Sequence, residues 1–387
     1  MSRSRSNGGL WSGATRLPAP KQALANINGF DGVRLSFGQA EDALEAEADR
    51  LSLPRSNLDG GDLDLLAISG GASGGAFGAG VLTGLTLAGR RPTFAIVTGV
   101  STGALIAPFA FLGSAWDGRL RDAYTGGHAE ESFGLAALSP ILDGALFRAE
   151  ALERLVHPFV DDEMVAAVAA QHRLGRRLLV ATTDLDREAP CIWDMGAIAV
   201  RGGSEATSMF REVLIASASL PGLFPPRRFE VEANGETFEE MHVDGGVAAP
   251  LFIMPEALMH WQKLGQRMRR GRIYVLINTV LDASPRTTPP NLPSILLRSF
   301  DTMLRVSYRQ ALNVAVTFSA AHNLPLSVAS IPDAPPGEET GSMLSFDTGT
   351  MKRTFDAAVD AAKREDFWKT PTARQDLWSD VRDLFQV

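Results

Sequence analysis

Residues 93–105, TFAIVTGVSTGAL, decide the fold, because a short apolar run leads into a glycine-flanked serine and then a second apolar run. The first run predicts a strand, and the residues after Gly103 predict a helix. Gly99, Ser101 and Gly103 fit the pattern G-x-S-x-G, in which the serine lies on a sharp strand-to-helix turn with small neighbours. The pattern leaves two interpretations open, a nucleophilic serine and an ordinary glycine–serine turn.

The residues before this stretch continue the alternation of strands and helices. LDLLAIS at 63–69 predicts a strand, and a helix is expected at 77–88 after a glycine-rich turn. The order β-α-β-α implies parallel strands joined by helical crossovers. The sequence therefore predicts an α/β fold, to which a long amphipathic helix at 293–320 is added.

The chain divides near residue 60. Residues 1–60 begin rich in Ser, Arg and Pro, continue with the helical patch GQAEDALEAEADRL and end in a polar stretch. This composition predicts an N-terminal extension that is partly helical or disordered. Residues 61–387 are expected to form the catalytic domain, with a helical region at its C-terminal end.

Charge patterning argues against nucleic acid as a partner, since the net charge of −8 comes from scattered acids without a basic stripe.

The positive N-terminus lacks the apolar stretch of a signal peptide. Residues 65–116 contain no acidic residue, but glycine clusters and Pro108 interrupt them. No membrane span is therefore expected, and a cytoplasmic or peripheral membrane location is predicted.

A glycine-rich loop, SGGASGGAFGAG at 69–80, follows the first strand of the predicted domain. Its backbone N–H groups, with a helix N-terminus behind them, can hold a developing negative charge. A phosphate-binding Walker loop would end in G-K-[ST], and no lysine lies between Gly70 and Trp116. The acidic partner of a dinucleotide site is absent as well. The loop is therefore interpreted as an oxyanion hole, and no metal or organic cofactor is expected.

The stretch MHVDGG supplies the candidate bases for Ser101. His242 and Asp244 are two residues apart in a predicted strand, so both project to one face. Either residue, or the pair, can serve the serine; Asp244 can also be a simple turn-initiating residue. Gly245 and Gly246 turn the chain away and leave the carboxylate at a strand end. An ordinary carboxylate is a weak base, but an apolar environment would raise its pKa.

The order of these segments resembles the patatin-like phospholipases, serine acyl hydrolases that use a Ser-Asp dyad without a catalytic histidine. The glycine-rich loop, the G-x-S-x-G turn and the distant D-G-G follow one another as in that family. ATTDLD and LIASASLPGLFPP also resemble segments of the family. The similarity spans about residues 63–251 and implies a three-layer sandwich around a central, mostly parallel sheet.

The resemblance assigns roles to particular residues. Ser101 matches the nucleophile and Asp244 matches the acid of the dyad. The backbone amides of Gly70, Gly71 and Ala72 match the oxyanion loop. The same comparison implies that His242 is a neighbour of the dyad with a structural role. Ser217 and Ser219, in LIASASL, are interpreted as polar residues at the end of a helix and in the following loop, without a catalytic role.

Two loop positions depart from the family pattern. Ala72 stands where a third glycine is usual, and Gly74 stands where an arginine is frequent. A positive φ at Ala72 would be strained. Loss of the arginine removes a candidate contact for an anionic head group.

The implied function is hydrolysis of acyl esters of lipids, of the phospholipase A or lysophospholipase type. A phospholipid substrate implies peripheral contact with a membrane, and two apolar segments, LPGLFPP and the long helix from Pro293, are candidates for that surface. Two alternatives remain: a soluble carboxylesterase or thioesterase that uses Ser101 with His242, and a non-catalytic lipid-binding protein of the same fold.

Overall fold

A computed structural model of the chain describes residues 26–36, 64–133, 145–251, 271–282, 287–322, 324–332 and 346–371. Its strands are β1 (Arg34–Ser36), β2 (Leu65–Ile68), β3 (Ile96–Val100), β4 (Arg177–Asp184), β5 (Ala189–Asp194), β6 (Arg227–Ala233), β7 (Glu236–Asp244), β8 (Ile273–Ile277) and β9 (Leu326–Ser330). Its α-helices are α1 (Gly75–Leu87), α2 (Thr102–Leu112), α3 (Asp117–Thr125), α4 (His128–Ser132), α5 (Glu150–Val156), α6 (Asp162–Arg173), α7 (Met195–Ala199), α8 (Gly203–Ala218), α9 (Leu292–His322) and α10 (Thr348–Ala362).

The strands form one mixed sheet. Five neighbouring strands, in the order β9-β8-β2-β3-β4, are parallel. Beyond β4 the sheet continues through β5 and β1, and β7 and β6 form a second branch; all of these pairs are antiparallel. The parallel centre follows from β-α-β connections such as β2-α1-β3, and the predicted α/β fold is confirmed.

Helices cover both faces of the sheet because side chains alternate along each buried strand. Leu66 and Ile68 of β2 belong to a large apolar cluster that includes residues of α1, α2, α8 and α10. Leu65 and Ala67, which point the other way, pack in a second cluster with residues of α9. Both faces of β2 are therefore buried, as the run LLAI predicts, and the three layers are helix, sheet and helix.

The register of β4 brings the ends of two other strands together. Val100, the last residue of β3, lies opposite Ala181, and Asp244, the last residue of β7, lies opposite Thr182. Both partners use the same edge of β4, because β5 occupies the other edge. Strands β3 and β7 run in opposite directions and thus meet end to end, with Ser101 next to the junction.

A two-residue turn sets the register of β7. Asn234 and Gly235 have φ angles of 55° and 80°, and the flanking residues Ala233 and Glu236 are paired. Asn-Gly with two positive φ angles is typical of the type I′ turn that joins tightly paired hairpin strands. The β6–β7 hairpin therefore has one favoured pairing.

Part of the expected N-terminal extension joins the sheet. Strand β1 pairs antiparallel with β5, and the Arg34 guanidinium lies 2.6 Å from a carboxylate oxygen of Glu240. The predicted helical patch at 38–51 lies outside the described residues. The boundary at residue 60 remains a prediction.

The acid-free stretch 65–116 is divided among β2, α1, β3 and α2. These elements are short and buried inside the α/β core. Among the described helices, none combines the length and the apolar character that crossing a bilayer requires.

Candidate active site

Ser101 occupies a strained turn between β3 and α2. Its φ and ψ are 56° and −128°, a conformation that is costly for a residue with a side chain. A Cβ added to Gly99 would lie 2.5 Å from the Gly103 carbonyl oxygen, and one added to Gly103 would lie 2.5 Å from the Ser69 carbonyl oxygen. Both glycines of the G-x-S-x-G pattern are therefore required by the close approach of strand and helix.

Ser217, near the end of α8, supports this turn. Its hydroxyl oxygen accepts a hydrogen bond from the Ser101 backbone N–H at 3.0 Å and donates one to the Ala181 carbonyl at 2.7 Å. The helix-end polarity expected for Ser217 thus includes a direct contact with the serine turn. The neighbouring Ser219 instead bonds back to the Ile215 carbonyl of its own helix.

Asp244 brings a buried carboxylate to Ser101. Its Oδ1 accepts the Gly246 N–H at 2.7 Å. Burial raises its pKa to about 7, while hydrogen bonding from the Ser101 hydroxyl and from Gly246 acts in the opposite direction. Among the described residues, no group makes a well-aligned hydrogen bond with Asp244 Oδ2. The contact between Asp244 and the Ser101 hydroxyl is therefore loose, as is common before substrate binds.

Gly245 lets the chain leave β7 immediately after this carboxylate. A Cβ at Gly245 would lie 2.7 Å from the carbonyl carbon of Ala181. The D-G-G sequence therefore places Asp244 at the strand end and packs the following backbone onto β4.

His242 does not reach Ser101. Its Nδ1 lies 2.9 Å from the Thr182 hydroxyl, and its Nε2 lies 3.1 Å from a carboxylate oxygen of Glu240. The ring is completely buried, and burial lowers its pKa. Both ring nitrogens are thus occupied, and the structure brings Asp244, rather than His242, to the serine.

The described residues contain one group with the spacing of metal ligands, Asp184, Glu240 and His242, whose ligand atoms lie within 4.8 Å of one another. Arg34 and Arg187 approach Glu240 at 2.6 and 3.4 Å. A cation would have to compete with both guanidinium groups. The cluster fits a buried ion-pair network better than a metal centre.

The three loop residues Gly70, Gly71 and Ala72 lie between β2 and α1. None of their N–H groups donates a hydrogen bond to a described residue. A Cβ at Gly70 would lie 3.0 Å from the Cβ of Ser101, which places the loop beside the serine. Ala72 has a φ of 49°, so the residue that replaces the usual glycine is in the strained, left-handed conformation.

Asn278, just after β8, holds this loop. Its backbone N–H and side-chain amide donate to the hydroxyl and the carbonyl of Ser69 at 2.9 and 2.8 Å, and its Oδ1 accepts the Gly78 N–H at 3.1 Å. A Cβ at Gly71 would lie 2.7 Å from the Asn278 carbonyl carbon, and one at Gly74 would overlap the Asn278 carbonyl oxygen. The family's arginine therefore has no room at Gly74 in this packing.

Sequence reasoning missed Asn278. The available signal was a polar residue that ends the apolar strand RIYVLI. Its partners, however, lie more than two hundred residues earlier in the chain, and no local pattern links them.

An apolar cavity begins at Ser101 and is partly open to solvent. Besides Ala72, Ser101 and Thr102, its wall includes the apolar side chains Leu105, Phe109, Phe133, Phe159, Leu214 and Phe224. The segment LPGLFPP contributes Leu220, Leu223 and Phe224 to the cavity wall, and Phe224 is only 5% exposed.

One family model and two solved structures are similar to the chain. Residues 66–256 match the family model of patatin-like phospholipases. The crystal structure of VipD from Legionella pneumophila is similar, with a TM-score of 0.33 and 12% identity over 81% of this chain and 68% of that one. Human GIVD cytosolic phospholipase A2 is also similar, with a TM-score of 0.41 and 11% identity. The alignment covers 84% of this chain and 61% of that chain, which is less than two thirds of its length.

No curated protein sequence matches the chain. Ser101, Asp244 and the loop residues Gly70–Ala72 all fall within the residues that match the family model. The chain therefore carries a patatin-like phospholipase domain over residues 66–256.

Proposed function

We propose that this protein is a lipid acyl hydrolase of the phospholipase A or lysophospholipase type, which cleaves carboxylic esters through a dyad of Ser101 and Asp244. The family supports lipid acyl hydrolysis in general. One observation carries the finer proposal: Ser101, on its strained turn, interacts with the buried Asp244 and opens into the apolar cavity.

The first half of the reaction forms an acyl-enzyme. Ser101 Oγ attacks the ester carbonyl carbon, and the Asp244 carboxylate accepts the hydroxyl proton. The raised pKa of Asp244, about 7, makes this carboxylate a stronger base than an exposed one. The tetrahedral intermediate then breaks its bond to the alcohol oxygen, and Asp244 returns the proton to the departing alkoxide.

Water completes the cycle. A water molecule gives its proton to Asp244 and attacks the acyl carbon, and the bond to Ser101 Oγ breaks as Asp244 protonates that oxygen. The fatty acid leaves and the dyad is restored. These steps use only groups of the chain and water.

The loop amides would stabilise both tetrahedral intermediates. The N–H groups of Gly70, Gly71 and Ala72 are unpaired among the described residues, and Gly70 lies beside Ser101. Donors that are already in position strengthen their interaction as charge develops on the carbonyl oxygen. The helix α1, which starts at Gly75, adds the positive end of its dipole behind the loop.

The cavity would hold the acyl chain. Its wall is mostly aliphatic and aromatic, and burial of each methylene group is worth about 0.8 kcal/mol. A fatty acyl chain therefore fits this site better than the small acyl group of a water-soluble ester.

We further propose peripheral contact with a lipid surface through α9. Its solvent-facing side carries exposed apolar side chains, among them Leu296 and Met303, which are 59% and 66% exposed. Apolar groups on the outer side of a long helix favour the interface of a bilayer. Replacement of both by serine should reduce flotation with phospholipid vesicles, and unchanged flotation would contradict the membrane role of this helix.

Release of free fatty acid from mixed micelles of phospholipid or lysophospholipid tests the proposed function. Ser101→Ala and Asp244→Ala should lose nearly all activity while circular dichroism shows that they fold. His242→Gln should keep most of it, because the ring has no contact with Ser101 and glutamine can replace part of its hydrogen bonding.

Two outcomes would contradict the proposal. Equal losses in His242→Gln and Ser101→Ala, together with full wild-type rates on water-soluble esters, would indicate an esterase or thioesterase that uses the histidine. No hydrolysis of any lipid or simple ester, and no labelling of Ser101 by a fluorophosphonate, would indicate a lipid-binding protein of the same fold.

A further inference from the structure

Helix α9 reaches the candidate site from the sheet face opposite α1. Leu304 and Tyr308, one turn apart on this helix, point to two different parts of the site. A Cβ placed on Gly246 would lie 3.6 Å from Leu304 Cδ2, and one placed on Gly70 would lie 2.9 Å from the Tyr308 hydroxyl oxygen. One helix face therefore covers both the turn after the dyad acid and the oxyanion loop.

The Tyr308 hydroxyl shares the space in front of Gly70 with the nucleophile. A Cβ placed on Gly70 would also lie 3.6 Å from Ser101 Oγ. A side chain at position 70 would crowd both residues, so glycine allows the phenol and the serine to approach the same side of the loop. A substrate group bound to Ser101 therefore lies near the phenol.

The Tyr308 hydroxyl has no hydrogen-bond partner among the described residues. The side chain is 1% exposed, and the described residues offer its hydroxyl no hydrogen bond. Burial, together with the carboxylates of Asp244 and Asp301, raises its pKa, so the phenol stays protonated. The hydroxyl oxygen is not among the fully buried polar atoms that lack a partner, so it keeps some accessible surface. A donor of this kind beside a reactive serine can bind an oxygen of a bound molecule.

Tyr308 lies on a different side of Ser101 from the acyl cavity. Ala72, Thr102 and Leu105 line that cavity, whereas Gly70 and Tyr308 are not part of its wall. An ester carries its acyl chain on one side of the carbonyl carbon and its alcohol oxygen on the other. With the acyl chain in the cavity, the alcohol half therefore points out of it, towards the side where Tyr308 lies.

We propose that the Tyr308 hydroxyl binds the alcohol half of the substrate, donating a hydrogen bond to an oxygen of its glycerol or head group. Tyr308 would thus be a specificity residue that favours esters with an oxygen-rich leaving group. The proposal rests on the lipid hydrolase function argued above.

Tyr308→Phe removes the hydroxyl alone and gives the first test. A lysophospholipid and a p-nitrophenyl ester of the same fatty acid are presented in the same detergent micelles, so that only the leaving group differs. We expect kcat/KM for the lysophospholipid to fall about three- to tenfold, the effect of one hydrogen bond. The rate on the p-nitrophenyl ester, which has no glycerol or head group, should stay within about twofold of wild type.

Tyr274→Phe is the matched control, since it removes a phenol hydroxyl from β8, where the ring contacts Phe94 and Trp368. The ratio of the two substrate rates should be the same as in wild type. Equal losses on both substrates in Tyr308→Phe would overturn the proposal, because the hydroxyl would then act on the common acyl group or the dyad. Unchanged rates on both substrates would overturn it as well.

A binding measurement separates this proposal from the proposed function. In a Ser101→Ala background, which cannot turn over, a non-hydrolysable ether analogue of the lysophospholipid is titrated by calorimetry with and without Tyr308→Phe. The Kd of the analogue should rise about three- to tenfold, and that of the free fatty acid should stay unchanged. An unchanged Kd for the analogue contradicts the role of Tyr308 even if the wild-type protein proves to be inactive.

Discussion

The Ser217 hydroxyl accepts a hydrogen bond from the backbone N–H of Ser101 at 3.0 Å, so helix α8 supports the strained turn between β3 and α2. A positive φ at a serine persists only where surrounding structure compensates its cost. The contact also leaves the Ser101 N–H with a partner, and the oxyanion would be held by other amides.

Loss of this contact should lower both turnover and stability. For Ser217→Ala we expect a loss of about 1–2 kcal/mol in the free energy of unfolding and a kcat reduced about tenfold, since the nucleophile is less well held. Urea unfolding and steady-state kinetics measure the two effects.

Ser219→Ala is the control for this substitution. Both serines are fully buried, but the Ser219 hydroxyl bonds only to its own helix. Its activity should stay within about twofold of wild type, and a comparable fall in kcat for both variants would show that the Ser101 contact is unimportant.

Activity should rise with pH through the neutral range. The pKa of Asp244 is raised to about 7, chiefly by burial, and only the deprotonated carboxylate accepts the serine proton. We expect kcat/KM to reach half its maximum near pH 7, within about one unit. The same profile in His242→Gln would assign the titration to the carboxylate; a flat profile between pH 5 and 9 would contradict the assignment.

The same pKa shift predicts a stability cost at high pH. Because the carboxyl has a higher pKa in the folded than in the unfolded chain, its stabilising contribution is complete below about pH 4 and is lost as the pH rises through about 7. Asp244→Asn should therefore be more stable than wild type at pH 8, by at least about 1 kcal/mol, and the difference should shrink at pH 4. Urea unfolding at both values tests this, and a pH-independent difference would refute it.

The proposed oxyanion loop should respond in opposite ways to two small substitutions. Ala72 has a φ of 49°, and Ala72→Gly should raise the free energy of unfolding by about 1 kcal/mol because glycine adopts this conformation without strain. Gly74→Ala should lower it and reduce kcat, since the added Cβ meets the carbonyl of Asn278. Thermal unfolding compares the two variants, and a destabilised Ala72→Gly would show that the loop gains from the alanine.

The parts of the site that sequence could predict are those with local patterns. The glycines around Ser101 are dictated by steric contacts within a few residues, so they could be predicted without a structure. Asp244 ends a strand just before Gly-Gly, but the sequence pattern left Asp244 and His242 as alternatives, and only the family resemblance favoured Asp244. Ser217, Asn278 and Tyr308 could not be found in this way. Each is an ordinary residue in its own element, and its contact with the site comes from packing between distant segments.

Strands, too, could be predicted where the local sequence carried a clear pattern. The continuous apolar run LLAI predicted a buried parallel strand correctly, because both faces of this strand are covered. The short β1 escaped detection, since three residues at a sheet edge carry too little periodicity. Its place became visible only through pairing with β5.

The exposed Asn234–Gly235 turn sets the register that positions Asp244, the proposed proton acceptor, although the turn lies at the opposite end of β7. Successive side chains of a strand point to opposite faces, so a slip of β7 by one residue would turn the carboxylate of Asp244 away from the serine. Because this hairpin is paired right up to its turn, one residue inserted there would shift the whole strand. Hydrolysis would then be silenced from a surface that no substrate touches, while the nucleophile and the cavity remained intact.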